Sequence, residues 1–303
     1  MSANGPWKTY LRLIVALIVL GALAAWLWWP RAKKTHKYWV SFNWRAVRRI
    51  RMHKPGHQPV LLAKQAGVWR LTQPYPARAD KSTIHMFLSE LARIRPARRL
   101  GVASSPAYGF DHPGKVTLYL PAGKQYTFEF GAAAPTGDGD YLRLAASPRV
   151  IIAPDFLRQD AVRSAFGVQD KSLLRFHAAD VRMVRLLWHH KTIVVRRLAA
   201  GKDKGKWPKA LRSRTRDLVD ALRNATMNSM PNRLGKAPGK YGLGPAANSI
   251  TLQWKAGQGT IRVGRKNSNG DYFAQTAGQP AIYTISSYLA EDMKKLAAGK
   301  NSK

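Results

Sequence analysis

The 303 residues include no cysteine. Disulfides, thiolate nucleophiles and thiolate-bound metals are thereby excluded, and redox usage says nothing of compartment. Acidic side chains are scarce as well: 16 aspartates and glutamates face 51 lysines and arginines, a formal net charge of +35. The glutamates are Glu90, Glu129 and Glu291 alone, and they form no paired-glutamate arrangement in the sequence. The aspartates stand singly among basic side chains, and no Ser-centred elbow or His-Glu-x-x-His is present. The sequence reads as a non-enzyme, with no catalytic residue, cofactor or metal to nominate.

Two local patterns imitate sites and fail on spacing. The glycine-rich stretch Gly131 to Asp140 lacks the Gly-Lys-Ser/Thr ending of a phosphate loop and does not open a helix. Asp138 and Asp140 are not followed by a 12-residue calcium pattern with a closing glutamate, so a turn between strands is the expectation. His189-His190 is the one adjacent histidine pair. Neighbours on a strand point to opposite faces and do not chelate one ion. His53 and His57 sit in a turn segment without a carboxylate nearby in sequence.

What is abundant is positive charge, spread over the whole chain, as in Arg45 to Arg51, Arg93 to Arg99 and Arg212 to Arg216. Such a surface attracts anionic lipid, acidic polysaccharide or nucleic acid. No helix-turn-helix, zinc finger or aromatic RNA-binding signature supports the last of these. Adaptation to an acidic exterior, where carboxylates would be protonated, explains the same composition without a polyanionic partner. Apolar residues at 45% are those of a folded protein.

There is one long apolar run. Leu13, Ile14, Val15, Leu17, Ile18, Leu20, Leu23, Trp26, Trp28 and Trp29 belong to an uncharged stretch that, extended back to Tyr10, spans a bilayer core as a helix. Tyr10 and the tryptophans supply aromatic belts at its two ends, and Pro30 ends it. The rival reading is a signal peptide cleaved near Ala22-Leu-Ala24; the run length and the following tryptophans favour an uncleaved single-pass anchor over about residues 10–29. Lys8 and Arg12 precede the run, whereas Arg31, Lys33, Lys34 and Lys37 follow it. Counted literally, that places the remainder in the cytoplasm, but long domains translocate largely regardless of charge.

Behind the anchor the sequence repeats itself. Tyr108 to Tyr141 and Tyr241 to Tyr272 both open on Tyr-Gly (Tyr108-Gly109, Tyr241-Gly242) and run through an alternating strand into an Ala-Gly turn. A second strand is expected to end on Gly131 or Gly264, and Gly-Asp-Tyr closes each copy (Asp140-Tyr141, Asp271-Tyr272). The tyrosines could be matched aromatic contacts at a groove between the copies. A loop tyrosine packing under its own hairpin, with glycine at positive φ, is the simpler reading and makes all these positions structural. Upstream, Arg182 to Leu187 aligns with Arg45 to Ile50, Ile193 to Val195 with Val60 to Leu62, and Trp207 with Trp69. Hydrophobic spacing predicts a helix capped by Asp80, another over Phe156 to Phe166, and counterparts near Leu218 to Leu222 and Ser287 to Leu296. The expectation is an α+β protein: a segment 1–37 with the anchor and a basic linker, then two tandem repeats of antiparallel strands and one or two helices, 38–177 and 178–303.

An N-terminal membrane helix, Trp69-Arg-Leu71, Ala79-Asp80, Tyr108 to Asp111, a strand pair at Gly131 and then Gly-Asp-Tyr together resemble a bacterial family of unknown function. That family is membrane-anchored, internally repeated, and often encoded beside ABC-type transporters of the gliding-motility type. The resemblance implies an extracytoplasmic accessory or scaffold protein of the inner membrane, working with an integral-membrane partner such as a transporter. It carries over no catalytic residue, and Gly244 departs from the pattern where Tyr-Gly-Leu-Asp is expected. The alternative is a membrane-tethered module that binds a polyanion through its basic surface.

Overall fold

A computed structural model describes residues 39–102 and 106–299, together with residues 10, 15, 19 and 20. Most of the predicted anchor lies outside the described residues; Tyr10, Val15, Val19 and Leu20 are helical, each more than half exposed. Among the described residues no helix is long and apolar enough to cross a membrane.

The first repeat opens with β1 (Arg49–His53), β2 (Val60–Gln65), β3 (Val68–Gln73) and β4 (Ala77–Arg78). Helix α1 (Lys81–Ala92) leads to β5 (Arg98–Val102), β6 (Gly114–Tyr119), β7 (Gln125–Ala133), β8 (Asp140–Leu144) and β9 (Arg149–Ala153), then to short helices α2 (Phe156–Ala161) and α3 (Ala165–Val168). The strands form one antiparallel sheet in the order β4-β3-β2-β1-β6-β7-β8-β9-β5. The second repeat comprises β10 (Val181–Trp188), β11 (Lys191–Arg196), α4 (Arg212–Asn224), β12 (Ser229–Asn232), β13 (Asn248–Trp254), β14 (Gly257–Lys266), β15 (Tyr272–Thr276), β16 (Ile282–Ile285) and α5 (Ser287–Ala298). Its sheet is ordered β11-β10-β13-β14-β15-β16-β12. Deleting β3 and β4 from the first order leaves the second, strand for strand. Mixed α+β architecture and duplication are thus properties of the fold.

Each sheet buries one face under its helices, which is why its inner strands alternate. Val116 and Leu118 in β6, and Ile250 and Leu252 in β13, are fully buried. Above them lie Ile84, Phe87, Leu88 and Leu91 of α1 in the first core, and Leu218, Leu222, Leu289 and Met293 of α4 and α5 in the second. Asp80 starts α1 as expected, its Oδ1 accepting from Ser82 N at 2.8 Å. The helix predicted over Phe156 to Phe166 breaks at Val162, because Ser164 takes an extended conformation and caps a new turn, its hydroxyl accepting from Gly167 N. The alignment of Arg182 with Arg45 also shifts: Ile50 faces Leu118 and Val184 faces Leu252, so Arg182 is the counterpart of Arg48. The 3-10 turn Trp44–Ala46 occupies the stretch that sequence similarity assigned to the strand.

Candidate functional site

The repeated tyrosine and glycine positions build one structural unit twice. Gly109 and Gly242 adopt positive φ (+70° and +72°). Gly131 and Gly264 lie inside β7 and β14 rather than at their ends. A Cβ on either would sit about 2 Å from the carbonyl oxygen of Tyr108 or Tyr241. The tyrosine backbone therefore rests on a bare strand glycine, and its ring packs on the next strand: Tyr108 on Tyr141 with centroids 4.6 Å apart, Tyr241 on Phe273 at 4.9 Å. Neither tyrosine lines the space between the repeats.

The Gly-Asp-Tyr endings are not structural equivalents. Asp140 faces Ala153 and Tyr141 faces Ile152, whereas Tyr272 faces Ile285 and Phe273 faces Thr284. Tyr272 therefore stands where Asp140 does, and Phe273 where Tyr141 does. One residue of register exchanges the faces of a strand. Asp140 is buried with Arg158 Nε 2.9 Å from its Oδ2. Asp271 lies before its strand and accepts from Asn228 Nδ2 at 3.1 Å. The Gly131–Asp140 stretch is strand and turn, with Thr136 donating to Asp138. His189 and His190 form the β10–β11 turn, both with positive φ (+45° and +65°), so the pair is a hairpin device and not part of a strand. His57 bonds the carbonyl of Pro55 in its own turn. No cluster of three or more metal-ligating side chains occurs among the described residues.

A cleft of about 750 Å³ lies between the repeats, within the size range of ligand sites. One wall is the β3–β4 turn and β4 itself, Pro74 to Arg78; the other is Met230 of β12 with Arg233 and Leu234 just beyond it, and Thr276 to Ala281. The connecting segment Gln169 to Arg175 forms the floor. That segment is stitched to both repeats: Asp170 N donates to Arg78 O at 2.8 Å, and Met227 N donates to Lys171 O at 2.9 Å. Leu174 lies against Gly259, where a Cβ would come within 2.6 Å of it.

Three arginines set the cleft's electrostatics. Arg78 and Arg175 share the single carboxylate of Asp170. Burial, then the charge of Arg78, lowers the pKa of the Arg175 guanidinium. Arg233 crosses from the second repeat, its guanidinium 4.9 Å from the centre of the Tyr75 ring and its Nη1 donating to Pro74 O at 3.3 Å. Tyr75 donates to Gln169 Oε1 at 3.1 Å. Burial raises the pKa of the Tyr75 phenol, with Arg233 acting in the opposite sense. Beneath the rim Tyr283 and Thr276 share a buried hydroxyl hydrogen bond of 2.5 Å, and burial pushes the Tyr283 phenol up to about 12. The lining is otherwise mainly apolar, with Leu173, Leu174, Met227, Met230 and Leu234 contributing, the last 59% exposed. The arrangement suits an apolar ligand that also carries negative charge.

A family model described as a domain of unknown function (DUF4340) matches residues 69–232 and again residues 209–299. The chain belongs to this family. In this DUF4340 protein the first match begins in β3 and ends on β12, and the two matches overlap on α4 and β12, in keeping with a repeat. No curated protein and no solved structure matches the chain. The cleft residues escaped the sequence reading because they come from a turn, a linker and a strand edge that have no motif in common. Pro74-Tyr75-Pro76, a proline-flanked aromatic found in the first repeat alone, was the available signal.

Proposed function

We propose that this chain is a non-enzymatic accessory subunit of a bacterial envelope complex, held at the inner membrane by the segment at about residues 10–29. Its repeats lie on the extracytoplasmic side, and the cleft between them receives an extended segment of an integral-membrane partner. The observation that carries this reading is the cleft itself. It is flanked by β4, whose Arg78 carbonyl already bonds the linker, and by the edge strand β12, which can take an added strand. Its apolar lining and arginines favour a segment that alternates apolar and acidic residues. An ABC-type transporter is the partner class that the family resemblance implies.

The test is a photo-reactive side chain placed at Leu234 in one strain and at Val194, on the distant edge strand β11, in another. A single membrane protein linked through position 234, absent at 194 and lost with Arg233→Glu, supports the proposal. Equal labelling at both positions refutes it. A C-terminal reporter active only outside the cytoplasm tests the orientation separately.

A further inference from the structure

The face of the second sheet turned away from α4 and α5 carries three arginines with no ion-pair partner among the described residues: Arg185, Arg196 and Arg262. Register places them in line. Arg196 faces Met183, Arg185 faces Thr251, and Arg262 faces Ser249, so they descend the sheet on a diagonal across β11, β10 and β14. With strands about 4.8 Å apart and same-face residues about 6.7 Å apart, the backbone steps are about 8 and about 12 Å. Between the arginines stand Thr251, Thr260 and Ser249; the two threonine hydroxyls are 2.8 Å apart. No carboxylate and no aromatic ring lies between them.

We infer that this face binds an acidic polysaccharide. Spaced arginines match a repeating anion better than one isolated phosphate, and hydroxyls between them can donate to and accept from sugar hydroxyls. The absence of a ring between the arginines leaves unstacked bases nothing to stack on. The first repeat is an internal control. Its counterparts of Arg196, Arg185 and Arg262 are Ala63, Arg51 and Glu129, and Glu129 is paired with both Lys115 and Arg143. The first copy therefore carries a carboxylate tied to two cations where the second carries a bare arginine. This site is separate from the cleft and does not depend on the partner proposed for it.

The experiment uses the full chain in neutral detergent micelles, with immobilised polygalacturonate as probe and with phosphatidylglycerol vesicles and duplex DNA as the other arms. Binding to polygalacturonate is expected, weakening at least about tenfold from low to physiological salt. Arg185→Gln with Arg262→Glu should weaken it at least about tenfold, and Arg51→Gln in the first repeat less than about twofold. Ser249→Lys with Arg262→Glu and Gln275→Arg rebuilds the closed row of the first repeat, and should abolish binding while the thermal midpoint is retained. No binding, equal binding by all variants, or tighter binding to vesicles or DNA than to polygalacturonate would each overturn the inference.

Discussion

The two repeats share a strand order and diverge in what they do with charge. In the first, Lys115, Glu129 and Arg143 sit side by side on β6, β7 and β8, with both cations within 2.8 Å of the carboxylate. The equivalent row of the second is Ser249, Arg262 and Gln275. On the other face Asp140 and Arg158 form an ion pair in the first repeat; by register and helix position, Tyr272 and Ala290 replace them in the second. A duplicated scaffold tolerates either solution because inner-face burial, not these pairs, specifies the fold. Both substitutions remove a carboxylate from the second copy. The first repeat alone also carries β3 and β4, which supply one wall of the cleft.

That comparison breaks most severely at the position the copies share. Gly131→Ala or Gly264→Ala would drive a Cβ into a tyrosine carbonyl, and each should cost about 3 kcal/mol in chemical denaturation. Similar losses in the two repeats would establish the motif as structural in both; tolerance at either glycine would deny it there. Next in size is Arg158→Ala, which strands the buried Asp140 and should cost about 3 kcal/mol. Asp140→Ala should cost less, because Arg158 is 42% exposed and can turn to water. Ala290→Arg in the second repeat brings no matching gain, since no carboxylate waits there.

A subtler contrast is in acid. Burial pushes the Glu129 carboxyl up, but hydrogen bonds from Lys115 and Arg143 outweigh it and hold the pKa below its ordinary 4.5. Its stabilising contribution is present above that value and disappears as pH falls through the lowered one. The second repeat has Arg262 in its place. On acidification below pH 4.5, amides of β6 to β8 should lose exchange protection that Glu129 helps maintain. Glu129→Gln should flatten that dependence and leave β13 to β15 untouched.

How much of this was legible depended on whether the cause was local. Asp80, the alternation in β6 and β13, and the Tyr-Gly repeat are visible because capping, burial and positive φ act on residues near in sequence. The one-residue slip at Asp140 and Tyr272 was hidden. Two similar tripeptides align by identity, while the strand is placed by which residue faces Ile152 or Thr284. The cleft was hidden for a different reason: Tyr75, Gln169 and Arg233 come from a turn, the linker and the end of a strand, far apart in sequence, and meet only in the tertiary structure.

The smallest expected effect is the one that reports on the cleft. Tyr75→Phe removes one half-buried hydrogen bond, to Gln169, and keeps the ring under Arg233. It should cost about 1 kcal/mol or less in stability. Arg233→Ala also removes the crossing contact to Pro74 O and the cation over the ring, each partly exposed, and should cost about 1 kcal/mol. If the two groups act as one clasp between the repeats, the double substitution will cost less than the sum of the singles, with a coupling of about 0.5 kcal/mol or more. Replacing β3 to β4 by the corresponding connection of the second repeat removes Tyr75 and Pro74, and the cost of Arg233→Ala should then fall. Strict additivity of the singles would mean that Tyr75 and Arg233 hold the walls independently.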